Sequence, residues 1–150
     1  MPRPIATVGH HPQFRKIDIM TTIPPALPGR LVLLIEEDPF LADYIGRGLG
    51  DAGAHVLGPA RTPGEAVTLL GNLRERPTAA VVSIALFDDA DVCDALERLD
   101  RPILLIRKAD RSPIGRSARH DSLTSPFAAH QIVTHIRRLF EAPEDAQSVA

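Results

Sequence analysis

Glu36 and Glu37 directly follow the apolar run LVLLI, Ser83 closes AAVVS, Arg107 and Lys108 follow PILLI, and Ser125 follows the short segment SLT. Paired carboxylates hold a divalent cation or exchange a proton. A serine hydroxyl attacks an electrophile when a base activates it, and a guanidinium neutralises carboxylate or phosphoryl oxygens. No histidine or lysine falls beside Ser83, so its hydroxyl is expected to stand without an adjacent base and to be a poor nucleophile. The plainer reading of Glu36 and Glu37 is that they are solvated or paired with Arg107 or Lys108. Arg107 then acts as a built-in cation, and no catalytic residue or metal ligand is assigned.

Two further patterns carry less. Gly48-Leu49-Gly50-Asp51-Ala52-Gly53 matches G-x-G-x-x-G, but it follows a helical stretch and precedes a strand, the reverse of a dinucleotide-binding context. His130 and His135 stand five apart, on different faces of a helix, and are expected at the surface; His10 and His11 lie in the amino-terminal segment and suit only loose metal contact.

The elements that would position these groups follow from the apolar periodicity. The chain has 150 residues, 44% of them apolar and 24% charged, which suits one globular domain. A formal charge of −2 and only six aromatic residues argue against a nucleic-acid binder. The single cysteine, Cys93, excludes an internal disulfide framework and a cysteine-rich zinc site, and fits a reducing, cytoplasmic setting. No apolar run reaches the roughly 18 residues of a membrane span.

Six of the fourteen prolines fall in the first 28 residues, so residues 1–29 are expected to form a flexible arm, with Met20 an alternative start. Residues 30–140 form the expected folding unit and 141–150 a polar tail. Within the unit, strands are expected at 31–35, 55–57, 79–84, 102–106 and 122–124, alternating with helical stretches, the signature of βα units around a parallel sheet. The first helix, from Pro39, would bury Phe40, Leu41, Tyr44, Ile45 and Leu49. Thr62-Pro63-Gly64-Glu65 is a capping box opening a second helix that buries Ala66, Leu69, Leu70 and Leu73. An acidic helix is expected over 90–99, a helix with few apolar residues over 111–120, and a last helix burying Ile132, Val133, Ile136, Leu139 and Phe140.

The segment LVLLIEEDPFLADYI resembles the opening of a response-regulator receiver (CheY-like) domain, and the likeness continues through GPARTPGEAVTLL, AAVVSIAL, RPILLIRKAD and SLTSPF. It looks most like the stand-alone bacterial receivers. The resemblance implies an α/β, flavodoxin-like (βα)5 fold, a doubly wound parallel sheet of order 2-1-3-4-5. It also implies that the acidic pair Glu36 and Glu37 matches in charge, whereas Ser83 stands at the phosphoacceptor aspartate position, Arg107 at the switch hydroxyl and Ser125 at the conserved lysine. The expectation is a pseudo-receiver: a non-enzymatic module in two-component or phosphorelay signalling, without aspartyl phosphate and without Mg2+ or another cofactor. The alternatives are a receiver still modulated by a histidine kinase, and a flavodoxin-like small-ligand binder.

Once phosphorylation is set aside, binding is what remains. Arg111, Arg116 and Arg119, with Arg137 and Arg138 of the last helix, would form a positive face opposite in sign to the acidic stretch Asp91 to Asp100. Such a face suits an acidic protein partner, such as a sensor histidine kinase or another regulator, or a second copy of the chain; neither nucleic acid nor membrane is expected.

Overall fold

A computed structural model describes residues 25–108 and 121–141. Five strands, β1 (Leu31–Ile35), β2 (His55–Ala60), β3 (Ala79–Ser83), β4 (Ile103–Arg107) and β5 (Asp121–Thr124), form one parallel sheet of order β2-β1-β3-β4-β5. The helices are α1 (Pro39–Asp51), α2 (Pro63–Gly71), the one-turn α3 (Ile84–Phe87), α4 (Ala90–Leu99) and α5 (Ala129–Glu141). Fold class and strand order are those expected.

The period-2 alternation of a strand divides the central runs between two cores. Leu33, Ile35, Ala80, Val82, Ile103 and Leu105 face α2, α3 and α4. Val32, Leu34, Ala79, Val81, Leu104 and Ile106 face α1 and α5 through Ile45, Leu49, Ile132 and Ile136. Both faces are covered, which is why β1, β3 and β4 read as continuous apolar runs.

Several expectations change in detail. Phe40 is 87% exposed and Tyr44 45% exposed, so the buried stripe of α1 is Ala42, Ile45 and Leu49. The Asp38 side chain caps α1 by accepting from the Phe40 and Leu41 N–H groups at 2.9 and 3.2 Å, and this start turns Phe40 outward. The Tyr44 hydroxyl accepts from the Ala129 N–H at 3.0 Å, tying α1 to the first turn of α5. In α2 only Ala66 is fully buried, and Leu73 lies beyond the helix end. In α5 Val133, Leu139 and Phe140 are only partly buried.

β2 runs three residues further than expected, to Ala60, and closes on β1 through the Glu36 N–H to Ala60 C=O bond of 2.9 Å. Leu27, within the expected arm, is buried, and its N–H donates to the Ala52 carbonyl at 2.8 Å; the packed unit therefore begins ahead of Arg30. The helix expected over 111–120, with Arg111, Arg116 and Arg119, lies outside the described residues, as do His10, His11 and Met20.

Candidate functional site

In a parallel sheet the carboxyl ends of all strands open on one edge, so residues just beyond β1, β3 and β4 meet although they are far apart in sequence. Glu36, the first residue past β1, is 1% exposed. Its Oε2 accepts from the Asp38 N–H at 3.0 Å, while Oε1 is buried without a hydrogen-bond partner among the described residues. Burial in these apolar surroundings, with the neighbouring Glu37 charge adding to it, pushes its pKa up to about 7.

Glu37 moves the other way. Burial alone would raise its pKa, but hydrogen bonds from the Ser83 hydroxyl and from its own backbone N–H, together with the Lys108 ammonium, outweigh burial and hold the carboxylate below its usual range. Lys108 Nζ stands 3.7 Å from Glu37 Oε2, with both side chains partly open to solvent. The two acids therefore ionise as a unit, with the charge settling on Glu37 and the proton on Glu36.

Ser83 ends β3 and is 3% exposed. Its Oγ accepts from the Ala85 N–H at 3.2 Å as the cap of α3, and the hydroxyl lies near enough to Glu37 to favour that group's charged form. The expectation that this hydroxyl lacks an adjacent base is corrected: the Glu37 carboxylate is beside it. A carboxylate whose pKa is depressed is a weak base, so the contact orients the serine more than it activates it.

Arg107 is the last residue of β4; among the described residues it makes no ion pair with Glu36 or Glu37, and its buried Nε has no hydrogen-bond partner. Lys108 supplies the cation instead. Ser125 follows β5, and its N–H donates to the Arg107 carbonyl at 2.8 Å, continuing the β4–β5 ladder by one residue. The structure thus brings together Glu36, Glu37, Ser83 and Lys108, with Arg107 and Ser125 joined beside them through the backbone.

Outside this edge, Arg137 and Arg138 are exposed on α5, and Arg137 Nε pairs with Glu141 at 2.9 Å. His135 is not a free surface histidine: its Nδ1 meets Asp121 Oδ2 at 2.5 Å, joining α5 to the start of β5. Sequence reasoning missed the links from Ser83 to Glu37, from Tyr44 to Ala129 and from His135 to Asp121. Each joins different elements, and no local pattern announces it. The cap of α3 was open to inspection, since serine two residues before the Ala85 N–H is a standard capping arrangement.

No family model and no curated protein sequence matches the chain. Solved structures do. A response regulator receiver protein from Sinorhizobium medicae has a TM-score of 0.63 at 21% identity, over 76% of this chain and 96% of that one. The receiver domain of the PhyR response regulator from Erythrobacter litoralis gives 0.59 at 23% identity, over 79% and 97%. A CheY-like receiver domain from Methanospirillum hungatei gives 0.58 at 19% identity, over 74% and 94%. The chain has the receiver fold.

Proposed function

We propose that this chain is a pseudo-receiver: a non-enzymatic signalling module that works in a two-component or phosphorelay system through protein contacts, without forming an aspartyl phosphate. The observation that carries this reading is the arrangement of Ser83. Where the receiver resemblance puts a phosphoacceptor carboxylate, there is a buried hydroxyl that accepts from the Ala85 N–H as the cap of α3. Phosphoryl transfer needs a nucleophile in line with the donor and cations on its oxygens. Here the group in the nucleophile's place is a neutral hydroxyl, and one of its lone pairs is engaged by the Ala85 N–H.

The pocket does not fit a divalent ion either. A hard cation takes six or more oxygen ligands, several of them ionised carboxylates. With its pKa raised to about 7, Glu36 is only partly ionised at neutral pH, and the Lys108 ammonium lies 3.7 Å from Glu37. Among the described residues no three His, Cys, Asp or Glu side chains converge as a metal site. The partner is a protein, either a histidine kinase or another regulator, met on the basic residues Arg137 and Arg138, which are exposed on α5; Arg111, Arg116 and Arg119 lie outside the described residues.

The test is incubation with acetyl phosphate and Mg2+, followed by intact mass and by two-dimensional NMR with beryllofluoride. The expected result is no added phosphate and no shift at Glu36, Glu37 or Ser83. A mass gain of one phosphate that Ser83→Ala abolishes overturns the reading.

A further inference from the structure

The opposite end of the sheet holds a second concentration of charge, which shares only Arg137 with the basic residues of α5 named above. A cleft of about 370 Å3 opens at the amino-terminal ends of β1 and β3, and three arginines from separate parts of the chain line it: Arg30 before β1, Arg76 before β3 and Arg137 on α5. Each is held from one side. The Arg30 guanidinium lies 4.7 Å over the Phe140 ring. Arg76 donates through Nε and Nη2 to the Leu99 carbonyl, at 3.2 and 2.6 Å, and Arg137 Nε is held by Glu141.

We infer that this cleft is a second binding site, one that takes a small polyvalent anion bearing phosphate or carboxylate groups. A guanidinium carries five N–H donors in a fixed plane and cannot be deprotonated in a protein. Stacking on Phe140 engages the face of Arg30 and leaves the donors on its edge available. The contacts to Arg76 and Arg137 likewise use one side of each group. Anchored donors lose less side-chain entropy on binding than free ones, which favours a ligand contacting two or three of them together.

The counter-charges do not cancel the three cations. Glu141 is engaged by Arg137, and Glu75 is exposed and makes no ion pair among the described residues. Glu75 should therefore weaken anion binding, so its removal is informative. The Thr78 hydroxyl lines the cleft but is already donated to the Leu31 carbonyl at 3.0 Å. The arginines alone supply the recognition.

The experiment is an NMR titration of the full chain with pyrophosphate, and separately with citrate, at constant ionic strength and up to about 10 mM, where a site of Kd near 1 mM is mostly filled. The expected result is saturable shifts confined to Arg30, Leu31, Arg76, Thr78, Arg137 and Phe140, with the tighter of the two probes giving the ligand class. Arg137→Gln removes only an exposed helix pair and leaves folding intact; it should weaken binding at least tenfold, as should Arg30→Gln. Glu75→Gln should tighten it severalfold. Shifts that rise linearly and spread to Arg47 and Arg61, or an affinity unchanged in Arg137→Gln, overturn the proposal.

Discussion

Glu36 and Glu37, adjacent in sequence, titrate in opposite directions: burial pushes the first up to about 7, while Ser83 and Lys108 help to hold the second below its usual value. This pair governs how stability depends on pH. The Glu36 pKa is raised above its unfolded value of 4.5, so its contribution is fully present below pH 4.5 and is lost as pH rises to about 7. That loss is on the order of 3 kcal/mol from the shift alone. Glu37 acts oppositely: its contribution is present above the unfolded value and is lost as pH falls through its lowered folded pKa. Glu36→Gln should remove the downward slope between pH 5 and 8 and stabilise the protein at pH 8. Urea midpoints across that range decide it, and an unchanged slope in the variant would falsify the assignment.

Ser83 is the hinge of the pocket chemistry. Ser83→Ala removes the cap of α3 and the hydrogen bond to Glu37, and should destabilise by about 1–2 kcal/mol. Ser83→Asp places a third carboxylate against two others and should destabilise by on the order of 2 kcal/mol in EDTA. Three carboxylates also make a plausible cation site. Mg2+ should therefore raise the Tm of Ser83→Asp and leave the parent unmoved. A parent Tm that climbs with Mg2+ contradicts the account of the pocket given above.

What could be read from sequence divides along a physical line. The strands β1, β3 and β4 and the α2 cap are set by neighbours in the chain and stand within one residue of where the pattern put them: Ile84 opens α3 instead of closing β3, and β4 runs from Ile103 to Arg107. The Thr62 hydroxyl accepts from the Glu65 N–H at 3.1 Å, although the Glu65 carboxylate reaches back to the Arg61 N–H, one residue earlier than a standard box. Phe40 and Tyr44 fell on the apolar side of a helical wheel because a wheel knows only spacing. The cap at Asp38 and the hydroxyl bond to Ala129 set their true direction. The pocket was legible as a set of positions, Glu36, Glu37, Ser83 and Arg107. Its electrostatics were not, because which cation meets Glu37 depends on whether residue 107 or 108 ends the strand.

Glycines on α1 offer a test of packing within one helix. A Cβ at Gly48 would come 2.8 Å from the Ala129 Cβ, where α1 crosses α5, whereas at Gly50 it would meet open space. Gly50→Ala should stabilise by about 0.5–1 kcal/mol through helix propensity. Gly48→Ala should destabilise by about 1–3 kcal/mol by forcing the two helices apart. Gly58 is stricter, with φ of +109° and a Cβ position 2.5 Å from the Leu34 carbonyl oxygen, so Gly58→Ala should be the worst of the three. Thermal melts rank them, and equal effects at positions 48 and 50 would dismiss the close α1–α5 contact.

Charge on the two faces of the sheet sets the form any self-association takes. Asp91, Asp94 and Glu97 are exposed on α4, which packs on one face, while Arg137 and Arg138 are exposed on α5, which packs on the other. Opposite charges on opposite faces cannot meet in a two-fold dimer that buries the same patch twice. They favour head-to-tail contacts, which extend unless a rotation closes them. Any such contact is between exposed charges and should weaken as salt rises over the Debye range of about 10 Å at 0.1 M to 3 Å at 1 M. Arg138→Glu should reduce association at low salt, and adding Arg116→Glu and Arg119→Glu from the segment after β4 should abolish it, with circular dichroism confirming the fold. An acidic protein partner bound on the basic face of α5 should lose affinity in Arg138→Glu, chiefly through a slower on-rate. Light scattering and binding kinetics across a salt series read both effects. Association that survives the reversals and high salt removes the basic face from consideration and leaves the exposed Phe40 end of α1 as the surface to mutate next.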